Sequence, residues 1–228
     1  MIKTDVTAIV SGGMDSVTLA YWLRETGHRP AILAFDYGQR HVRELEAAEK
    51  IAALLHAPFH RVDLRSLTPL LPGSALTDAR VDVPHGHYAE ESMRITVVPN
   101  RNAIMLSIAW GHAVAHRHIG VATAVHSGDH HIYPDCRPAF AEALNEALRL
   151  GTEGHRTEML GLMTPFIDED KTSIARIGAG LGVPFEMTWT CYEGGDLHCG
   201  RCGSCNERQE AFRDAGVPDP TAYAARAA

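Results

Sequence analysis

No stretch of this 228-residue chain approaches the ~20 consecutive apolar residues that a helix needs to cross a bilayer, so no transmembrane helix is expected. A leader pattern is missing as well: Lys3 and Asp5 run directly into a β-branched segment, and a cytoplasmic location is the expectation. Blocks of like charge are also absent. The 21 basic residues are dispersed among 28 acidic ones, for a formal net charge of −7. That dispersal argues against stable, sequence-independent binding of nucleic acid, which relies on clustered Lys and Arg; a few local cations can still hold a small anion. The chain has no internal repeat, low-complexity tract or Pro/Ser-rich linker. At 45% hydrophobic it is expected to bury one sizeable core, with room for a small appended module. Cysteine is scarce, and of five residues Cys191, Cys199, Cys202 and Cys205 crowd the C-terminal region. In a reducing compartment such a cluster reads as metal ligands and not as disulfides.

The most informative segment that is present lies near the start. Val6-Thr-Ala-Ile-Val10 runs into Ser11-Gly-Gly-Met-Asp-Ser16, and a helical pattern (Val17, Leu19, Ala20, Leu23) follows at once. A strand, a phosphate-sized loop and a helix start are joined in one unit. Backbone N–H groups at a helix start are unpaired, and the helix dipole favours an anion there. Gly12 and Gly13 admit backbone angles that other residues avoid and let a phosphate approach closely. Ser11 and Ser16 add hydroxyls, and Asp15 is suited to holding Mg2+ against phosphates. Val10, Ser11, Gly12, Gly13, Met14, Asp15 and Ser16 are therefore the expected nucleotide-binding segment. No lysine follows the glycines, as the common γ-phosphate loop would require, and Val17 and Thr18 do not supply the third glycine of the dinucleotide fingerprint. A plain βα turn with a helix cap is the structural alternative. The complete string S-G-G-x-D-S after a strand resembles the pyrophosphate loop of the N-type ATP pyrophosphatases. That resemblance implies cleavage of ATP between the α- and β-phosphates and activation of a substrate as an adenylate.

Strand and helix patterns alternate along the chain. Further strands are expected at Pro30 to Phe35, Phe59 to Leu64 and Ile119 to Val125. Helices are expected at about Arg40 to Leu55, Asn102 to His116, Arg137 to Leu150 and Lys171 to Leu181. Ser66 to Val98, with several prolines and glycines and weak periodicity, reads as an irregular excursion over the active-site edge. The alternation predicts an α/β fold, a doubly wound parallel sheet covered on both faces. Two units are expected, an α/β domain over residues 1–186 and a cysteine module with a C-terminal helix or tail over 187–228. Ligands of such sheets sit beyond the carboxyl ends of the strands. The strings S-G-G-M-D-S, F-D-Y-G-Q-R-H and H-S-G-D-H-H-I-Y-P-D-C-R-P all fall at those ends, so one crevice is expected to hold nucleotide and substrate together.

The cysteine module has the spacing C-x7-C-x2-C-x2-C, with Gly200 and Gly203 letting the backbone fold around a single ion. Four thiolates suit tetrahedral Zn2+ in a closed, structural shell, which would staple a tail too short to bury much apolar surface. An iron–sulfur cluster is the rival reading. His198 adjoins Cys199 as a substitute ligand.

Phe35 to His41 (F-D-Y-G-Q-R-H), Val98 to Asn102 (V-P-N-R-N), Gly128 to Arg137 (G-D-x-x-x-Y-P-D-C-R), and T-C-Y-x-G with C-G-x-C-x-x-C occur in one order and spacing. From about Val6 to Arg208 the chain resembles the 7-cyano-7-deazaguanine synthase family of the queuosine pathway. The resemblance implies adenylation of 7-carboxy-7-deazaguanine, displacement of AMP by ammonia to give an amide, and a second adenylation that drives dehydration to the nitrile. Two ATP with Mg2+ are consumed, no protein nucleophile is required, and a homodimer is the family habit. Asp15, Ser16, Arg101 and Lys171 are the implied catalytic residues, with Arg101 opening a helix toward an anion and Lys171 stabilising pyrophosphate. Arg40 and His41 are implied contacts of phosphate or substrate carboxylate. Tyr133, Asp135 and Arg137 would surround the deazaguanine, with Asp135 accepting from its guanidine-like edge. Cys136 invites a covalent reading but is more simply a packed neighbour. His85, His87, His126, His130 and His131 suggest a second metal or ammonia handling, or loop surface. The chain departs from the family pattern at Asn100 (for glycine), Ala124-Val-His-Ser127 and Ser173. A branch that stops at the amide, or serves DNA modification or defence, is one alternative. A tRNA-thiolating enzyme is another, disfavoured by the acidic net charge of the chain and by the gathering of four of its five cysteines in one tail knuckle.

Overall fold

The computed structural model describes residues 4–88 and 90–224. The outermost residues of the two expected units, 1–3 and 225–228, lie outside this range. β1 (Thr4–Ile9), α1 (Met14–Glu25), β2 (His28–Asp36), α2 (Arg43–Leu54) and β3 (Phe59–Asp63) are followed by an irregular stretch. The short α3 (Glu90–Met93) interrupts that stretch. The chain continues through α4 (Arg101–Ala115), β4 (Gly120–Ala122), α5 (Pro138–Gly151), β5 (Gly161–Met163), α6 (Lys171–Gly180) and α7 (Gly203–Ala215). The five strands pair in parallel in the order β3-β2-β1-β4-β5.

Period-2 alternation explains how both faces are covered, because successive strand side chains point to opposite sides. Val6, Ala8, Ile32, Ala34 and Ala122 enter one core with Leu19 and Leu23 of α1, Ile51 of α2 and Ile174 of α6. Leu33, Phe35 and Val121 enter the other, with Met105, Leu106, Ala109 and Trp110 of α4. The spacing of those α4 residues is an apolar helical stripe. Each such fully buried side chain stabilises the fold by roughly 1.5–3 kcal/mol before entropy is counted. Where α6 meets α1, a Cβ on Gly178 would lie 2.5 Å from Phe185 Cζ and 2.7 Å from Thr18 Oγ1, so glycine permits the close approach. α7 joins the first core through Phe212, edge-on to Phe185 at 4.8 Å.

Sequence and structure differ at a few points. β4 is three residues long, shorter than the Ile119 to Val125 pattern, and β5 had no sequence signal because its apolar run is too brief to show a period. α2 begins at Arg43, not Arg40: Arg40 N donates to Leu76 O at 2.9 Å, tying this residue to the irregular excursion before the helix starts. Asn100 takes φ +58° and ψ +20° ahead of α4, the left-handed angles a glycine would supply and asparagine tolerates.

Candidate active site at the switch between β1 and β4

The chain winds outward from β1 to β3 in one direction and then to β4 and β5 in the other. A cavity of about 220 Å³ opens where the direction reverses, beyond the carboxyl ends of β1, β2 and β4. The first wall is the loop Ser11–Ser16. Gly12 has φ +97°, and a Cβ there would lie 2.0 Å from Glu44 O, so only glycine fits. Hydroxyls hold the loop in shape: Ser16 Oγ donates to Gly13 O (3.1 Å) and accepts from Ser11 N (3.2 Å), and Ser11 Oγ accepts from Gly13 N (3.3 Å). Trp189 N donates to Gly12 O at 2.9 Å, so the segment leading into the cysteine module braces the same loop.

Behind the loop lies a charged cluster. Asp170 caps α6, accepting from Ser173 N at 2.6 Å, and this sets Lys171 on the first turn facing the cavity. Lys171 Nζ donates to Glu207 Oε2 at 2.5 Å and lies 3.4 Å from Asp15 Oδ2. His126 Nε2 sits 3.9 Å from Asp15 Oδ2 and 3.5 Å from Asp129 Oδ2, and Tyr88 donates to Asp129 Oδ1 at 2.9 Å. Burial works against the charge on Lys171, but Asp15, Glu207 and Asp129 outweigh it and hold the ammonium above the ordinary lysine value. Burial raises the Glu207 carboxyl despite Lys171. Asp129 is lowered, because His126 and Lys171 overcome its burial. Asp15 Oδ1 is enclosed without a hydrogen-bond partner among the described residues.

The opposite end is aromatic. Arg101 opens α4, donates to Tyr37 Oη at 3.2 Å and stands 5.5 Å from that ring's centroid. Burial raises the Tyr37 hydroxyl to about 12. Tyr133 shares a 2.6 Å hydrogen bond with Thr96 Oγ1, and His41 packs on Tyr192 at 5.3 Å. Glu44 accepts from Gln39 Nε2 at 2.9 Å and lies 3.5 Å from His41 Nε2. Burial raises Glu44 to about 8 and, with Arg101, lowers His41 to about 3. His41 is therefore uncharged near neutrality, whereas Glu44 titrates close to it and can exchange a proton there.

The structure thus brings Ser11, Gly13, Met14, Asp15, Ser16, His41, Arg101, Tyr133 and Lys171 together around one space. Arg40, Asp135 and Arg137 do not line it. Arg40 donates to Asp78 O (2.7 Å) and Val81 O (2.5 Å), pinning the irregular excursion. Asp135 accepts from Asn102 N at 3.0 Å, so this carboxylate satisfies the open N-terminus of α4. Arg137 is exposed and donates to His130 O at 2.7 Å. Cys136 does face the cavity, but burial raises its thiol far above the neutral range, which removes the thiolate a nucleophile requires. His85 and His87 pair with Glu193 and Glu210 at the surface, whereas His126 is buried in the site. Sequence reading missed Glu44, Tyr88 and Glu207. Glu44 reads as an ordinary acid of an amphipathic helix, and Glu207 sits in a helix that only the metal-ligand pattern marked.

Toward the C-terminal end the Sγ atoms of Cys191, Cys199, Cys202 and Cys205 all lie within 4.8 Å of one another, so the four thiols could hold a metal ion. His198 is outside this group and accepts from Thr190 N at 3.0 Å.

Comparison with known proteins agrees with this geometry. Residues 5–216 match the family described as queuosine biosynthesis protein QueC. A 7-cyano-7-deazaguanine synthase from Ruegeria sp. (strain TM1040) is 54% identical over 216 residues, covering 95% of this chain and 91% of that protein. The enzyme of the same name from Paracoccus denitrificans (strain Pd 1222) is 53% identical over 215 residues, covering 94% and 91%. Among solved structures, the U34-tRNA thiolase NcsA from Methanococcus maripaludis with its [4Fe-4S] cluster aligns at TM-score 0.50 and 15% identity, over 92% of this chain and 65% of that one. A 4-thiouridine synthetase in complex with RNA and ATP aligns at 0.50 and 14%, over 93% and 50%. At such identities these two similarities concern the fold alone. The match across residues 5–216, with relatives more than half identical over nearly their full length, makes this chain a member of the QueC family of queuosine biosynthesis proteins.

Proposed function

We propose that this chain converts 7-carboxy-7-deazaguanine and ammonia to 7-cyano-7-deazaguanine, using ATP and Mg2+ through an adenylate and an amide. The observation that carries this reading is the single cavity, with the loop Ser11–Ser16 and Lys171 at one end and an aromatic pocket bearing Arg101 at the other. A carboxylate becomes an electrophile only when its oxygen turns into a phosphate leaving group, so acid and α-phosphate must meet in line. Lys171 and Arg101 are the cations suited to the charge that gathers on departing pyrophosphate. The unpartnered Asp15 Oδ1 suits the Mg2+ that accompanies ATP, and Ser16 completes the loop. His41, Tyr133, Tyr37 and Tyr192 are the proposed substrate walls.

We assign Zn2+ to the four cysteines. A tetrahedral ion with Zn–S near ~2.3 Å sets its sulfurs ~3.8 Å apart, and Cys199 Sγ and Cys205 Sγ stand 4.0 Å apart. A cubane cluster would spread four thiolates wider than one ion does. A homodimer working in the cytoplasm completes the proposal, its mass to be read by light scattering.

The test is mass spectrometry of products from the purified protein with ATP, Mg2+, ammonium and 7-carboxy-7-deazaguanine. Nitrile with AMP and pyrophosphate supports the reading. Amide alone would replace it with a branch that stops halfway, and absence of acid turnover would refute the substrate.

A further inference from the structure

We propose that Glu44 is the proton acceptor for amination and dehydration, taking the N–H protons released as ammonia becomes amide and amide becomes nitrile. The inference rests on the function proposed above and deepens it.

Glu44 stands on the first turn of α2 and lines the cavity, with its side chain about one-tenth exposed. Its backbone abuts the phosphate loop, since Glu44 O occupies the space a Cβ on Gly12 would take. The carboxyl is supported on one side only. Oε1 accepts from Gln39 Nε2 at 2.9 Å and lies 3.5 Å from His41 Nε2, while Oε2 has no hydrogen bond assigned to it among the described residues. No lysine or arginine forms an ion pair with it among those residues, and the neighbouring Arg101 engages the Tyr37 hydroxyl. Burial makes this carboxyl a stronger base than an exposed glutamate, and a base is most effective when its pKa lies near the working pH.

The other carboxyls at the cavity and the thiol that lines it are engaged elsewhere. Asp129 is held ionised by His126 and Lys171, and Glu207 is bound to Lys171. Asp15 faces Lys171 on the phosphate loop, and the Cys136 thiol is occupied by a 3.2 Å hydrogen bond from Asn102 Nδ2.

The chemistry requires such a group three times. In amination the ammonia lone pair forms the C–N bond, the acyl C–O bond breaks with its electrons leaving on AMP, and nitrogen gives up one proton. In the second adenylation the amide oxygen displaces pyrophosphate from the α-phosphorus while a second N–H proton departs. In the elimination the last N–H electron pair completes the C≡N bond, the C–O bond to AMP breaks, and the third proton leaves. Glu44 accepts each proton and passes it to water before the next step.

The test separates adenylation of the acid, which moves no N–H proton, from amination and the steps that follow it. Acid-dependent exchange of labelled pyrophosphate into ATP and the yields of amide and nitrile are measured for wild type, Glu44→Gln and Glu44→Asp. Glu44→Gln is expected to keep the exchange while amide and nitrile formation fall by roughly 10²–10⁴-fold. Glu44→Asp should restore part of that loss. Exchange that falls in step with nitrile formation would reassign Glu44 to binding, and unchanged nitrile formation would dismiss it from the reaction; either overturns the proposal. A wild type without acid-dependent exchange would overturn the substrate reading and the Glu44 assignment with it. Exchange retained by Glu44→Gln without amination is the outcome specific to Glu44.

Discussion

Replacing Lys171 by methionine keeps the length of the stem and removes an ammonium that lies 2.5 Å from Glu207 Oε2 and 3.4 Å from Asp15 Oδ2. All three side chains are largely enclosed, at 11%, 13% and 22% exposure. Breaking an enclosed pair by deleting one partner costs about 3–5 kcal/mol, because a charge is left without compensation. That is a large part of the about 5–15 kcal/mol that keeps a domain folded. The sign with pH follows from the shifts. Lys171 is raised in the folded state, so its contribution is full below the ordinary lysine value of 10.5 and is lost only as pH climbs through the folded one. At pH 7 the wild type therefore has the whole benefit. In the variant, Glu207 keeps the burial that raises its carboxyl and loses the ammonium that lowered it. Protonating Glu207 then relieves the penalty, so the deficit seen at pH 7 shrinks toward pH 5. Urea unfolding followed by circular dichroism at both pH values measures this directly. The double variant Lys171→Met with Glu207→Gln should recover stability relative to Lys171→Met alone. A loss under about 1 kcal/mol at pH 7, as exposed pairs give, would refute the reasoning. Equal losses at the two pH values, or strict additivity in the double variant, would refute it too.

Cys136→Ser is expected to keep nitrile formation in the product assay, since the thiol is buried and un-ionised; abolished turnover would revive a covalent intermediate. Gly12→Ala should lose ATP binding by calorimetry along with stability, because φ +97° and a 2.0 Å approach to Glu44 O leave no room for a methyl group; unaltered binding would mean the loop has another route past α2. Treating the protein with a strong chelator, or making Cys202→Ala, should release one metal ion per chain by elemental analysis. Pyrophosphate exchange should fall with it, because Glu207 and Trp189 N then lose their anchor; full exchange by metal-free protein would uncouple the module from the phosphate loop.

How much of this was legible in sequence depended on whether a residue's role is local. The shape of the loop Ser11–Ser16 could be read because strand, glycines and helix start are contiguous, and the loop's hydroxyl bonds span five residues at most. Lys171 and Arg101 could be read because each opens a strongly patterned helix. Asp135 illustrates the opposite case. Its motif marked it as chemistry-bearing, but the carboxylate is held by Asn102 N, 33 residues away, and no spacing rule anticipates a side chain from one loop capping a distant helix. Glu207 was invisible for a similar reason, since its partner Lys171 is 36 residues away on another helix. β5 escaped because three residues on a sheet edge are too few to display a period.

The placement of Glu207 bears on what the cysteine cluster is for. A structural ion would ordinarily be credited with holding a short tail together and nothing more. Here α7 begins between two of the thiols, at Gly203, and two residues past Cys205 it presents Glu207 to Lys171. Arg208, fully buried, fixes the same turn from behind through Asp219 at 3.1 Å, Thr188 Oγ1 at 2.7 Å and Phe185 O at 3.1 Å. On the incoming side, Trp189 N reaches Gly12 O only two residues before Cys191. The segment entering the cluster therefore braces the loop Ser11–Ser16, and the helix leaving it holds the lysine that faces that loop. Both connections are shorter than one helical turn, which leaves no slack to absorb a collapse of the knuckle. A metal bound by these four cysteines would thus set the resting position of Lys171 against the loop Ser11–Ser16, although none of the four cysteines lines the cavity.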